Sequence, residues 1–113
     1  MAERARRAGP KLIEGIRGLT GRHANLGPVR GRGLLLGIEI MKHAGAGLDF
    51  ANRAAAGTQF RLALRDAGLI GICVHPGNVL LLAPPLIISD DEIDTMIAMI
   101  DTGLVALSRL SLS

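Results

Sequence analysis

The sequence predicts an α+β fold: a two-layer sandwich in which helices pack on a small, mostly antiparallel sheet. Three observations carry that reading. Two β-rich apolar runs flank the turn Pro76-Gly77-Asn78 between Leu69 and Ile88, a capped amphipathic helix follows them at once, and further back single apolar runs alternate with helical stripes. The order is helix, strand, helix, strand, turn, strand, helix, with strands occurring both singly and as a hairpin.

Residues 1–9 are basic, alanine-rich and helix-compatible, and are read as an N-terminal arm. Pro10 inside a helix would lose a hydrogen bond and clash with the preceding turn. The sequence therefore predicts a fresh helix from about Pro10 to Thr20, with Pro10 near its first position; a longer, kinked helix is the alternative. Leu12, Ile13, Ile16 and Leu19 form its apolar stripe. Gly21 to Pro28 is rich in turn residues and reads as a connector. Val29 to Ile40, VRGRGLLLGIEI, reads as one extended segment with its strand body from Leu34 to Ile40, too apolar to be exposed on both faces.

Lys42 to Leu48 is a polar, glycine-bearing loop. Asp49 is placed to cap the next helix, on which Ala56, Phe60, Ala63, Leu64 and Ala67 share a face, and Gly68 stands where a left-handed C-terminal glycine belongs. After the two apolar runs, the second of which continues through Pro84-Pro85, Ser89 and Glu92 have the spacing of a capping box. Asp90 and Asp91 add negative charge at the positive end of the helix dipole. Ile93, Met96, Ile97, Ile100, Leu104 and Leu107 then recur at the spacing of one buried face. The domain is drawn over residues 10–110, with 111–113 as a tail.

The composition narrows the function classes. A chain of 113 residues, 49% of them hydrophobic, sustains one domain with a modest core. Two Phe, no Trp and no Tyr leave nucleic-acid bases little to stack on. The net charge of +3 is concentrated in residues 1–32, where Arg4, Arg6, Arg7, Lys11, Arg17, Arg22, Arg30 and Arg32 face only Glu3 and Glu14. Without interleaved aromatics or a recognised motif, these cations read as a solvated face, so no nucleic-acid partner is expected.

The single Cys73 excludes an internal disulfide and fits a reducing, cytoplasmic compartment, as a small buried hydrophobe in its strand. No apolar run approaches the roughly 18 residues of a membrane span, and the N-terminus lacks the apolar region of a secretory signal, so no membrane partner is expected.

No constellation in the chain forms a self-sufficient active site. Gly31, Gly33 and Gly37 do not have the dinucleotide-loop spacing and precede a strand instead of following one. His23, His43 and His75 with Cys73 lack the paired spacing of a zinc site, so no metal is expected. Asp90, Asp91 and Glu92 are accounted for by capping, and Asp94 and Asp101 by the polar face of the last helix.

The segments VRGRGLLLGIEI and LRDAGLIGICVHPGNVLLLAPPLIISDDEID resemble the C-terminal small domain of class III, fold-type I, pyridoxal-phosphate-dependent aminotransferases. The family pattern runs from an R-G-x-G-L strand through an amphipathic helix ending in x-x-G-L to a G-N or G-D turn, a P-P-L-x-I strand and a final D/E-E-I/V-D helix. The likeness extends from about Leu12 to Leu107. It implies a small domain that packs on a large domain, closes one side of its substrate cleft and belongs to a homodimeric parent. It also implies that the large domain, absent from this chain, carries the Schiff-base lysine and the other cofactor-holding residues. Lys11 and Lys42 are the chain's only lysines, and neither stands in the family's lysine motif. No catalytic or cofactor-binding residue is therefore expected here, and the isolated chain is expected to be inactive.

Many members of that family hold the substrate carboxylate with an arginine in a pattern R-P-x-G-N/D. The matching positions here are Val74, His75, Pro76, Gly77 and Asn78. The resemblance thus makes Val74 and His75 the candidate substrate-binding residues, with valine in a position where arginine would make a planar bidentate contact. Arg30 and Arg32, in the R-G-x-G segment, fall to an interdomain joint. The alternative function is a stand-alone dimerisation or regulatory module without catalysis.

Overall fold

The computed structural model describes residues 2–32, 35–82, 89–110 and 112, with side chains from residue 8 onward apart from residue 32. Three helices and four strands follow in the order α1 (Ala2–Arg17), β1 (Leu26–Arg32), β2 (Leu35–Ile40), α2 (Arg53–Ala67), β3 (Ile72–Val74), β4 (Val79–Leu82) and α3 (Asp90–Ser108), with a short 3-10 turn at Ala44–Ala46. The expected α+β sandwich is what forms. Its sheet has the order β1-β2-β4-β3 and every described pairing is antiparallel.

Two hairpins build the sheet, and their inner strands meet. β1 pairs with β2, β3 with β4, and β2 joins β4 through Leu36↔Leu82, Gly37↔Leu81, Ile38↔Leu80 and Glu39↔Val79. Alternation along a strand sends Leu36, Ile38, Ile40, Leu80 and Leu82 to one face, where all are buried. On that face α3 packs between α1 and α2, while α1 lies against β1 and α2 against β3 and β4. Leu12, Ile16, Phe60, Leu64, Ile100 and Leu104 close the core at zero exposure, so a chain with two aromatic residues fills its interior almost wholly with aliphatic side chains.

Several expectations require correction. α1 does not begin at Pro10; the longer alternative holds in extent, the helix running from Ala2 through Pro10 and ending at Arg17, short of Thr20. The alanine-rich first turns favour helix, and Ala8, 3% exposed, belongs to the core, which outweighs one missing hydrogen bond. The segment Val29–Ile40 is not one extended piece. Arg32 pairs with Leu35, so only residues 33 and 34 separate two strands, and β1 reaches back into the supposed connector to Leu26. A register shift between Leu26 and Val29 absorbs Gly27 and the exposed Pro28, as a bulge on an edge strand can.

α2 is capped not by Asp49 but by Asn52, whose Oδ1 accepts from the Ala55 amide at 3.0 Å; Asp49 instead accepts from Arg53 Nη2 at 2.7 Å. The α2 terminus follows expectation. Gly68 has φ 106°, its amide donates to Arg65 O, and the Leu69 amide returns to Leu64 O at 2.8 Å, the double closure of a Schellman motif.

The capping box at α3 is present in both directions. The Glu92 amide donates to Ser89 Oγ at 3.2 Å and the Ser89 amide to Glu92 Oε1 at 3.0 Å. Ile93, Met96, Ile100, Leu104 and Leu107 are buried, and Ile97 is partly so. β3 is shorter than the apolar run from Leu69 suggests, and the expected strand through Pro84-Pro85 lies outside the described residues.

Candidate functional site

The turn Val74–Asn78, expected to face substrate, is held from two sides. Val74 ends β3 opposite Val79, and the Gly77 amide donates to Val74 O at 2.7 Å. That bond closes the four-residue turn Val74–Gly77, in which proline holds the third position, and the His75–Pro76 bond is cis. Gly77 sits at φ 112°, a conformation that glycine adopts without a Cβ penalty.

Helix α2 presses on this turn from one side. A Cβ added at Gly57 would stand 1.6 Å from Gly77 O, and one added at Gly77 would stand 2.6 Å from Ala54 Cα. Backbone therefore meets backbone, and glycine is required on both partners. From the other side, the ladder continues into the turn. The Ile40 amide donates to Asn78 O at 2.9 Å, and Asn78 Nδ2 donates to Ile40 O at 2.9 Å. Asn78 is 3% exposed, so these bonds work away from water.

What the turn presents outward is small. Val74 is half-buried, while His75 and Pro76 are exposed at the crest. A valine here offers an apolar surface and no donor, and the residue that follows it, His75, carries an imidazole.

The other histidines go elsewhere. His43 Nδ1 accepts from the Ala46 amide at 3.2 Å and so closes the 3-10 turn. His23 is buried and its Nε2 meets Asp101 Oδ1, while Arg22 Nη2 lies 3.4 Å from the other oxygen. Asp101 is thus more than a polar-face carboxylate: it ties the loop after α1 to the middle of α3. Sequence reasoning missed this pair, whose partners lie 78 positions apart with no motif to join them. Cys73 is half-buried against the core. Among the described residues no group of three His, Cys, Asp or Glu is placed to hold a metal ion.

The family resemblance raises pyridoxal phosphate, and the residues present do not fit it. Lys11 Nζ is 3.1 Å from Asp90 Oδ1, an exposed ion pair that stitches α1 to the start of α3. Lys42 is exposed just beyond β2, its carbonyl accepting from Asn25 Nδ2 at 3.0 Å. Neither lysine lies on the turn that the resemblance marks for substrate. No step of cofactor chemistry is therefore assigned to this chain.

Comparison with known proteins accounts for that gap. Residues 1–104 match the family described as Aminotransferase class-III. The chain is 33% identical over 113 residues to the taurine–pyruvate aminotransferase of Bilophila wadsworthia, covering 96% of this chain and 25% of that protein. It is 36% identical over 97 residues to the acetylornithine aminotransferase of Mycobacterium leprae, covering 86% of this chain and 20% of the other. Among solved structures, a transaminase from the marine bacterium Virgibacillus superposes over 95% of this chain and 25% of its own, with TM-score 0.88 and 28% identity. A transaminase with L-alanine superposes over 93% of this chain with TM-score 0.81 and 30% identity. The chain spans about a quarter of the length of the Bilophila relative and a fifth of the Mycobacterium one. A fold of three helices on an antiparallel sheet, a family match over nearly its whole length and a fragment's share of its relatives together place this chain in the class III, pyridoxal-phosphate-dependent aminotransferase family.

Proposed function

We propose that this chain serves as the C-terminal small domain of a class III transaminase, closing the substrate cleft of a large domain that corresponds to the part of its relatives it does not match. The observation that carries this reading is the share of each chain covered: 96% of this one against 25% of the Bilophila relative. The poor fit of Lys11 and Lys42 to a cofactor site supports it from the chemistry. In the working enzyme, pyridoxal phosphate on the large domain supplies the electron sink for amino transfer. This chain supplies a wall: it shapes the cleft, excludes water and selects the substrate's distal end.

The selecting element is the Val74–Asn78 turn. With valine at the position where the family pattern has arginine, the wall favours a substrate end that is apolar or amine-like. A carboxylate reaching this point would meet His75 in place of a guanidinium fork. Pinning by Gly57 and by Ile40 fixes where Val74 and His75 stand, which is what a specificity wall requires. The cytoplasm and a homodimeric parent complete the proposal.

The test has two readouts. Purified chain titrated with pyridoxal phosphate should develop no internal-aldimine absorbance and transfer no amino groups; transfer by the chain alone would overturn the reading. In an active enzyme whose C-terminal quarter is replaced by this chain, Val74→Arg should shift preference toward carboxylate-ended substrates. Unchanged preference would show that this turn does not face substrate.

A further inference from the structure

Glu39 stands apart from the other carboxylates whose side chains are described. Glu14, Asp49, Asp90 and Asp101 each lie against a cationic side chain, and Glu92 closes the α3 capping box. Asp66, Asp91 and Asp94 are exposed, where water solvates them. Glu39 is half-buried, and among the described residues its carboxylate has neither an ion pair nor a hydrogen bond. A partly desolvated charge without a partner calls for a ligand of opposite sign.

The sheet decides where that charge stands. Ile38 and Ile40 point into the core, so Glu39 points to the opposite side, which no helix among the described residues covers. Glu39 pairs with Val79, and Val79 pairs with Val74. Residues directly opposite one another share a face of the sheet. Glu39, Val79 and Val74 therefore form one row, with two half-buried valines leading to the carboxylate. At about 5 Å for each cross-strand step, Glu39 lies roughly 10 Å from Val74 between Cα atoms. The ladder fixes this spacing, and the row ends at the first residue of the specificity turn.

We infer that Glu39 is a specificity-determining residue of the substrate wall, a carboxylate that receives the distal ammonium of a dicationic amino donor whose alkyl chain lies over Val74 and Val79. The inference rests on the reading proposed above and names the substrate class within it: of the apolar and amine-like ends that valine at position 74 admits, Glu39 selects the amine. An ammonium arriving there gains a charge-assisted hydrogen bond. An apolar end would strip water from Glu39 and return nothing, and a carboxylate end would bring like charge against it.

The test uses the active enzyme whose C-terminal quarter is replaced by this chain, with amino donors of equal chain length: cadaverine, pentylamine and δ-aminovalerate, which end in a cation, a methyl group and a carboxylate. Cadaverine should be preferred to pentylamine, and the preference should shrink as added salt screens the pair. Glu39→Gln, which keeps the shape and removes the charge, should lower the cadaverine-to-pentylamine ratio of kcat/KM about tenfold. Glu39→Asp should retain part of the preference, and Glu39→Lys should turn it toward δ-aminovalerate. Asp66→Asn, at an exposed carboxylate of α2, should leave the ratio unchanged. Turnover of pentylamine by each variant establishes that it is folded. An unchanged ratio in Glu39→Gln, with Val74→Arg still shifting preference toward the carboxylate-ended donor, would overturn the inference and leave the proposed function standing. Equal losses in Glu39→Gln and Asp66→Asn would assign the effect to net charge and overturn the inference as well. Donor preference indifferent to both Val74→Arg and Glu39→Gln would overturn the reading of this turn as a substrate wall, and the inference with it.

Discussion

Replacing Gly57 with alanine sets two physical effects against each other at the element that positions the specificity turn. Helix propensity alone favours the substitution by about 1 kcal/mol, since Gly57 lies in the interior of α2. Packing opposes it. The new Cβ would fall 1.6 Å from Gly77 O and 2.7 Å from Gly77 C. An unstrained carbon–oxygen contact needs roughly 3.3 Å, so α2 and the turn would have to part by about 1.7 Å. The obstacle is backbone on the turn side, and Asn78, the next residue, is bonded to Ile40 at both N–H···O contacts of 2.9 Å. Overpacking with so little room to relax belongs near the upper end of its usual range, about 3 kcal/mol. The net expectation is a loss of about 2 kcal/mol, which lowers the thermal midpoint of a domain this size by roughly 8 °C. Thermal and urea unfolding of Gly57→Ala beside Thr58→Ala, an exposed neighbour on the same helix, measures it. A Gly57→Ala protein as stable as wild type, or more so, would refute the close approach and with it the fixed placement of Val74 and His75.

Ser89→Ala removes the hydroxyl half of the α3 capping box, which accepts from the Glu92 amide, and leaves the backbone amide of residue 89 to donate to Glu92; it should lower stability by about 1 kcal/mol, read as a lower urea midpoint at unchanged slope. Ile100→Ala opens a cavity at a site with zero exposure, where about 2–5 kcal/mol is at stake; far-UV circular dichroism followed through thermal and urea unfolding should show a chain close to its stability limit. Asp101→Ala strips the buried His23 of its partner, and the expected loss is about 1–3 kcal/mol, whereas Asp94→Ala on the exposed face of the same helix should stay within about 0.5 kcal/mol of wild type.

Local chemistry was legible in the sequence and distant chemistry was not. Ser89 with Glu92, and Gly68 after Ala67, announce a helix start and stop because the atoms that satisfy each other lie within a few residues. The same locality misleads at Pro10 and Pro28. Each reads as a breaker, yet the buried Ala8 holds α1 together across the first, and a bulge on an edge strand accommodates the second. Asp49 and Asn52 are both good caps by type, and only the register of α2 decides between them. His23–Asp101 and Gly57–Gly77 join residues whose proximity is created by the fold, so no spacing rule finds them. The open sheet face was half legible: the apolar character of Val29–Ile40 was plain, but that no helix among the described residues lies over its second side emerges only from the strand order and the helix packing.

The central claim is that this chain forms a wall of an active site whose catalytic groups lie on another part of the enzyme. Amino transfer measured on mixing the chain with the catalytic remainder of the Bilophila relative, pyridoxal phosphate present throughout, tests it most directly. The account predicts no transfer by the chain alone and a rate that rises with added chain and saturates as the two pieces associate. Transfer by the chain alone, or a remainder whose rate is indifferent to the chain, would contradict it.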